Sequence, residues 1–359
     1  MPEPSSQHAR AGVSYSSCNQ PTRAALTVLL LLSTWPASAA PPTPASKPGK
    51  AAASQATAPK ATAPKAAAPK AAAPKALASE PTWSDDYPAV RGDLEAGKPL
   101  VIHVSVPLCS NAQINCGASW AGQPGRLSTN LYWGAIFGAR RIFDGKRSGW
   151  ERLEITQRDD VYLERVVYRR YVSAQRWRLK RCANQPNCQV EQLVVLQAIH
   201  GSRIDQAIDD LWAHATRGST LSFSDPALPS GNRRNVRLHV AGYAGHNRLM
   251  DGKRLPGPPP PKERARPEAL PAFVLACYSD RYFSGSLAGA GSSNLVSTQT
   301  LMAPEGYLID AVAKGLGEND SPIELRERTI RSYAKWQRIS VGQARRTFQA
   351  AGKRSTPAR

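Results

Sequence analysis

The chain has 359 residues, 30 of them Pro and 26 Gly, with 41% hydrophobic residues, 8 Trp and 11 Tyr. That apolar and aromatic content excludes a wholly disordered chain. No stretch reaches the ~18 consecutive apolar residues of a membrane span, which excludes a polytopic membrane protein, and no repeat runs through the bulk of the sequence to suggest a solenoid. The formal net charge of +20 sits at the two ends: six Lys lie in residues 40–79, and ten Lys or Arg stand against Glu327 alone in residues 326–359. The part between is nearly balanced, so a nucleic-acid binder with a basic, aromatic-studded folded face is not indicated.

Arg23, the apolar stretch AALTVLLLLSTW (24–35) and Ala37-Ser38-Ala39 follow one another. A charged flank, a short apolar run and a small-residue cleavage site predict a secretory signal peptide over 1–39. The alternative is an uncleaved anchor, for which the run is short. Residues 40–79 contain no acid, and four units (ATAPK, ATAPK, AAAPK, AAAPK) stand in tandem from Ala56 to Lys75. Proline every fifth residue prevents a continuous helix. The segment is expected to be a disordered, extended cationic tether. It serves either as a plain linker or as a spacer touching an anionic envelope polymer or lipid.

From residue 80 onward the composition is that of a folded domain, expected over 80–322. PLVIHVSV (99–106) predicts a buried strand. NLYWGAIFGARRIF (130–143) suits a helix, weakened by two Gly. Strands are expected at 161–169 and 191–199. Arg203–Thr216 places Ile204, Ala207, Ile208, Leu211 and Trp212 on one face of an amphipathic helix. VRLHVAGYAG (236–245) reads as a strand running into glycines, with His246 at its end. AFVLA (272–276) is a second apolar strand, with Cys277 at its end. A helix opens at Pro304, and residues 323–350 predict one long basic C-terminal helix with Ile330, Tyr333, Trp336 and Phe348 as apolar contacts. Its charge reads as a solvated face. The residues 323–359 are set apart as a separate basic helix and tail.

Five cysteines follow the signal segment. In an exported chain disulfides persist. Cys109 and Cys116 bracket SNAQIN, and Cys182 and Cys188 bracket ANQPN. Both inserts are polar and turn-like, so each pair is expected to close its own small loop. Neither pair has the tight spacing of a structural zinc knuckle, and no metal-ligand cluster or phosphate-binding glycine loop is present. No cofactor is expected. Cys277 is left over, as a reactive thiol or as a small apolar residue closing a strand.

Alternating strands and helices predict an α/β fold with a mainly parallel sheet flanked by helices. Ligand sites of such sheets lie at the carboxyl ends of the strands, where His246 and Cys277 fall. An imidazole beside a thiol can take its proton and generate the nucleophilic thiolate. Gly242 and Gly245 next to the histidine suggest close backbone approach. His103, His239, His214 and His200 read as core or turn histidines. Asp251 could orient His246 or serve the turn at Gly252, and Asn247 is equally open.

With VRLHVAGYAGH and AFVLAC, the sequence resembles the caspase-like cysteine peptidases, the group that includes clostripain and gingipains. The resemblance covers roughly residues 98–320. It implies a three-layer caspase-like sandwich, His246 as general base and acid, Cys277 as nucleophile, a backbone N–H near Gly245 or Cys277 for the oxyanion, and a protein or peptide substrate. The sequence has Asn247 where the family has Gly, Leu275 where it often has an acid or Gln, and a proline-rich stretch where it has a crossover helix. The stretches NLYWGA, AGHNRLMD and ACYS also resemble a group of exported bacterial proteins with no activity attached. Two readings follow: an exported, periplasmic or secreted cysteine hydrolase, or a non-catalytic envelope binding or scaffolding protein on the same fold.

Overall fold

The computed structural model describes residues 80–229, 232–257 and 269–348. The expected signal peptide and tether lie outside the described residues, as does the chain beyond 348. The described residues form eight strands: β1 (Leu100–Pro107), β2 (Glu151–Gln157), β3 (Tyr162–Ser173), β4 (Gln189–Ile199), β5 (Thr220–Ser224), β6 (Arg233–Arg237), β7 (Val240–Ala244) and β8 (Ala272–Leu275). Among the described residues, six of them form one sheet in the order β2-β3-β4-β1-β7-β8, and β5 and β6 form a separate hairpin. β4, β1, β7 and β8 are mutually parallel. β3 runs against both β2 and β4. The protein is therefore an α/β fold on a mostly parallel, mixed sheet. β1 is buried at every position, which is why its sequence is a nearly continuous apolar run: a central parallel strand is covered on both faces.

The helices are α1 (Pro88–Glu95), α2 (Ala139–Phe143), α3 (Ile204–Arg217), α4 (Gly285–Gly289), α5 (Gly306–Gly317), α6 (Pro322–Gln337) and α7 (Val341–Arg345). Ile102, Val104, Val194, Leu196, Phe273 and Leu275 face a core shared with Leu308, Val312 and Leu316 of α5 and Leu325 and Ile330 of α6. On the opposite face Ala241, Tyr243 and Val274 meet Ala207, Ile208 and Leu211 of α3. Each such side chain contributes about 1.5–3 kcal/mol when fully withdrawn from water. Among the described residues no helix is long and apolar enough to cross a membrane.

Three expected elements differ. The helix predicted over 130–143 exists only as α2. A Cβ on Gly134 would lie 2.3 Å from the Leu127 carbonyl oxygen, and one on Gly138 2.3 Å from that of Trp133. These glycines are where the chain folds back on its own backbone, so helical periodicity there is coincidental. The strand predicted over 236–245 is divided. Val236 pairs with Leu221 in the hairpin, whereas Ala241 pairs with His103 in the main sheet. The long C-terminal helix stops at Arg338, whose φ is 53°. Ser340 then caps α7 through the Gln343 N–H. α6 is also not a separate tail. Leu325, Ile330 and Tyr333 are buried in the same core as the sheet, and Phe348 bridges to Thr298.

His103 of β1 is 5% exposed. Its ring lies 4.6 Å from that of His214 on α3, and Nδ1 has no hydrogen-bond partner. Burial first, then the neighbouring His214 charge, holds His103 well below the usual imidazole range, and burial lowers His214 as well. The unfolded chain therefore binds protons that these folded imidazoles refuse. Stability is expected to fall once pH drops below about 6.5, by up to ~1.4 kcal/mol per pH unit for each histidine. Urea midpoints for wild type and His103→Phe, taken at several values between about pH 7.5 and 5.5, should show a shallower decline in the variant.

Candidate active site

β7 and β8 are adjacent and parallel, with Ala244 opposite Leu275. His246 and Cys277 each stand two residues beyond that pair. The two residues picked from the sequence are thus at the same level of neighbouring strands, at the carboxyl end of the sheet. From β1 the chain next joins the sheet through the β2–β3–β4 side, whereas from β7 it proceeds to β8 on the other side. The carboxyl ends of β1 and β7 therefore border the crevice that such a change of direction opens. A Cβ on Gly245 would lie 2.7 Å from Pro107 at the end of β1, and one on Gly242 2.4 Å from the Phe273 ring. Strand and ring packing, rather than approach of a substrate, accounts for both glycines. The Gly245 N–H, expected near an oxyanion, donates to the Leu275 carbonyl at 3.2 Å and is engaged between the strands.

The His246 side chain is 13% exposed, and its Nε2 lies 2.6 Å from Asp251 Oδ2. The carboxylate holds the Nε2 proton and leaves Nδ1 as the basic nitrogen. Asp251 sits on a single 3-10 turn, Arg248–Asp251, whose preceding residue Asn247 accepts the Leu249 N–H on its side chain. Arg248 contacts Asp205 at 3.0 Å and Asp251 at 3.5 Å, and so ties the carboxylate to the start of α3. Asp251 thus holds the histidine as well as belonging to the turn that ends at Gly252.

The turn carrying Cys277 is tightly fixed. The Ser279 hydroxyl donates to the Val274 carbonyl at 2.7 Å, and the Thr298 N–H donates to Ser279 Oγ at 2.9 Å. The Thr298 hydroxyl donates to the Ala276 carbonyl. Tyr278 has φ of 50°, a left-handed conformation in a residue with a bulky side chain. Such strain costs about 1–2 kcal/mol and gathers at functional sites. The Met302 N–H is 3.4 Å from Cys277 Sγ, and the Met302 carbonyl oxygen lies 3.5 Å from it. Both polar groups of Met302 thus hold the sulfur in place.

Tyr132 and Tyr333 lie near the thiol and Glu305 near both of them; the sequence offered only Tyr333, and that as an apolar contact of the C-terminal helix. Tyr132 is pushed far above the usual phenol range by burial, then by the negative charges of Cys277 and Glu305. Tyr333 is raised mainly by burial, with Glu305 and Cys277 adding to it. Glu305 is 7% exposed. Burial pushes its carboxyl up to about 7, against hydrogen bonds from Tyr307 and Gln337 that favour the charged form. NLYWGA contains Tyr132, and Glu305 follows the helix-opening Pro304, but no local pattern ties either of them to Cys277. That link runs through the packing of α5 and of the β1–β2 connection.

The remaining histidines are where the sequence places them. His239 is buried, accepting the Val101 N–H at Nδ1 and facing Asp93 with Nε2. His200 caps a turn through Ser202. Asp280 accepts the Ser284 and Ser297 hydroxyls. Cys109–Cys116 and Cys182–Cys188 are bonded, with Cα atoms 6.1 Å and 5.5 Å apart, and Cys277 is outside any disulfide. Among the described residues no group of three His, Cys, Asp or Glu could hold a metal ion. A cavity of about 360 Å³ lined by Asp93, Lys98, Arg234, Arg237 and His239 opens at the amino ends of β1 and β7. It is at the opposite end of the sheet from Cys277, and its cations are engaged by Asp93, Glu191 and Asp225.

In comparisons with known proteins, no family model, no curated protein and no solved structure matches this chain.

Proposed function

We propose that this protein is a cysteine hydrolase of caspase-like arrangement that cleaves peptide bonds, with Cys277 as nucleophile, His246 as general base and acid, and Asp251 holding the imidazole. The observation that carries the reading is the register of β7 and β8, which sets His246 and Cys277 level with each other on parallel neighbours. The resemblance implies such a histidine strand beside a cysteine strand. The Asp251 contact, the fixed Cys277 turn and the left-handed Tyr278 support it. The two disulfides support an oxidising compartment. Export by the signal at 1–39, and attraction of the Lys-rich tether and the basic C-terminus to an anionic envelope polymer or lipid, belong to the same reading.

The chemistry follows from these roles. His246 Nδ1 takes the Cys277 proton, and the thiolate attacks the scissile carbonyl carbon, whose oxygen takes up the electron pair. Collapse expels the amine, which leaves with the proton held by His246, and a thioester remains on Cys277. Water, deprotonated by His246, then releases the acid and restores the thiol.

Alkylation by iodoacetamide tests the pair directly. A free cysteine has a pKa near 8.5, so only a few per cent is thiolate at neutral pH. His246→Ala is expected to slow alkylation of Cys277 by about 10–30-fold near pH 7. Equal rates in wild type and variant would overturn the dyad and leave a non-catalytic binding protein, with Cys277 as an apolar strand end.

A further inference from the structure

Asn247 is fully buried. Its amide is used at both ends. Oδ1 accepts the Leu249 N–H at 3.1 Å and so caps the turn that presents Asp251 to His246. Nδ2 donates to the carbonyl oxygen of Cys277 at 2.6 Å. One side chain thus joins the histidine loop to the backbone of the cysteine. The same peptide unit is gripped from its other side, because the Tyr278 N–H donates to the Thr300 carbonyl at 3.0 Å. That peptide plane leads into the left-handed Tyr278.

Rotating a peptide unit changes ψ of the residue before it and φ of the residue after it. A flip of the Cys277–Tyr278 peptide would release Tyr278 from its strained φ and at the same time redirect the Cys277 backbone. The Asn247 and Thr300 bonds oppose that relaxation. The net worth of one hydrogen bond is of the same size as the left-handed penalty, so losing one clamp is enough to shift the balance. We infer that Asn247 is a positioning residue that locks the strained Cys277–Tyr278 peptide and thereby aims the thiol at the histidine loop. The aim toward His246 rests on the cysteine-hydrolase reading above, whereas the clamp itself does not.

The test separates the cap from the clamp. Asn247→Ser keeps a hydroxyl for the Leu249 N–H but is too short to reach the Cys277 carbonyl. Asn247→Asp keeps the cap and the shape while replacing the donor with an acceptor, and it stands in if the Ser variant does not fold. Rates of Cys277 alkylation by iodoacetamide are measured across pH on folded protein. Loss of the clamp is expected to slow alkylation about tenfold at neutral pH and to move the midpoint of thiol reactivity toward about 8.5. Adding Tyr278→Gly, which makes the left-handed conformation free of strain, is expected to restore much of the rate. Wild-type rates in the Asn247 variants, or no recovery with Tyr278→Gly, overturn the inference. If His246→Ala slows alkylation while the Asn247 variants match wild type, the dyad stands and the clamp fails. If His246→Ala changes nothing while the Asn247 variants do, the clamp stands without the dyad.

Discussion

Cys277→Ser is expected to leave no measurable hydrolysis of fluorescein-labelled casein, and His246→Ala to reduce it by roughly 10²–10⁴-fold, the usual worth of a positioned general base. Asp251→Asn should cost less, about 10–100-fold, because it acts only through the imidazole it holds at 2.6 Å. The three losses should not add: once the nucleophile is gone, removing the histidine has nothing further to disable. Purified variants with unchanged circular dichroism would be assayed side by side. Wild-type rates in Cys277→Ser would exclude this residue as the nucleophile whatever the thiol-labelling data show. A wild-type protein inactive on casein, but with a His246-dependent thiol, would point to a narrower substrate.

Glu164→Gln is expected to be the most destabilising conservative substitution near the site, at roughly 3 kcal/mol. Glu164 on β3 is fully buried. Its Oε1 accepts the Trp133 indole N–H at 2.7 Å, and both oxygens accept Arg140 at 2.8 Å and 2.9 Å. Trp133 is itself fully buried. The amide removes the charge and turns one acceptor into a donor facing the guanidinium. This leaves Arg140, at a partly buried position, with Asp144 at 3.3 Å as its one remaining carboxylate among the described residues. Because Trp133 and Arg140 belong to the connection between β1 and β2, the loss should loosen the segment that carries Tyr132 beside Cys277. Urea unfolding would show a lower midpoint, and alkylation of Cys277 would report whether the loosening reaches the thiol. A midpoint equal to wild type would mean that the ion pair is offset by the cost of dehydrating it.

The sequence by itself determined the strands that are buried on both faces, since a central parallel strand has to be apolar along its length and β1, β4 and β8 are legible for that reason. It determined α3, whose apolar residues recur at the helical period, and the two short disulfide loops, since cysteines bracketing a polar turn are already near bonding distance. It also placed His246 and Cys277 at strand ends. It could not divide 236–245 between two sheets, because hydrophobic alternation is the same whichever partner a strand finds. It could not see that residues 130–138 are folded against their own backbone, because glycines required by close contact look like glycines that merely weaken a helix. The tertiary structure alone decided that the two strands are parallel neighbours in register, that Asp251 holds the histidine, and that the Asn247 amide reaches the Cys277 carbonyl. Each of these depends on the pairing of segments some thirty residues apart in the chain or on the geometry of a turn, and local composition carries neither.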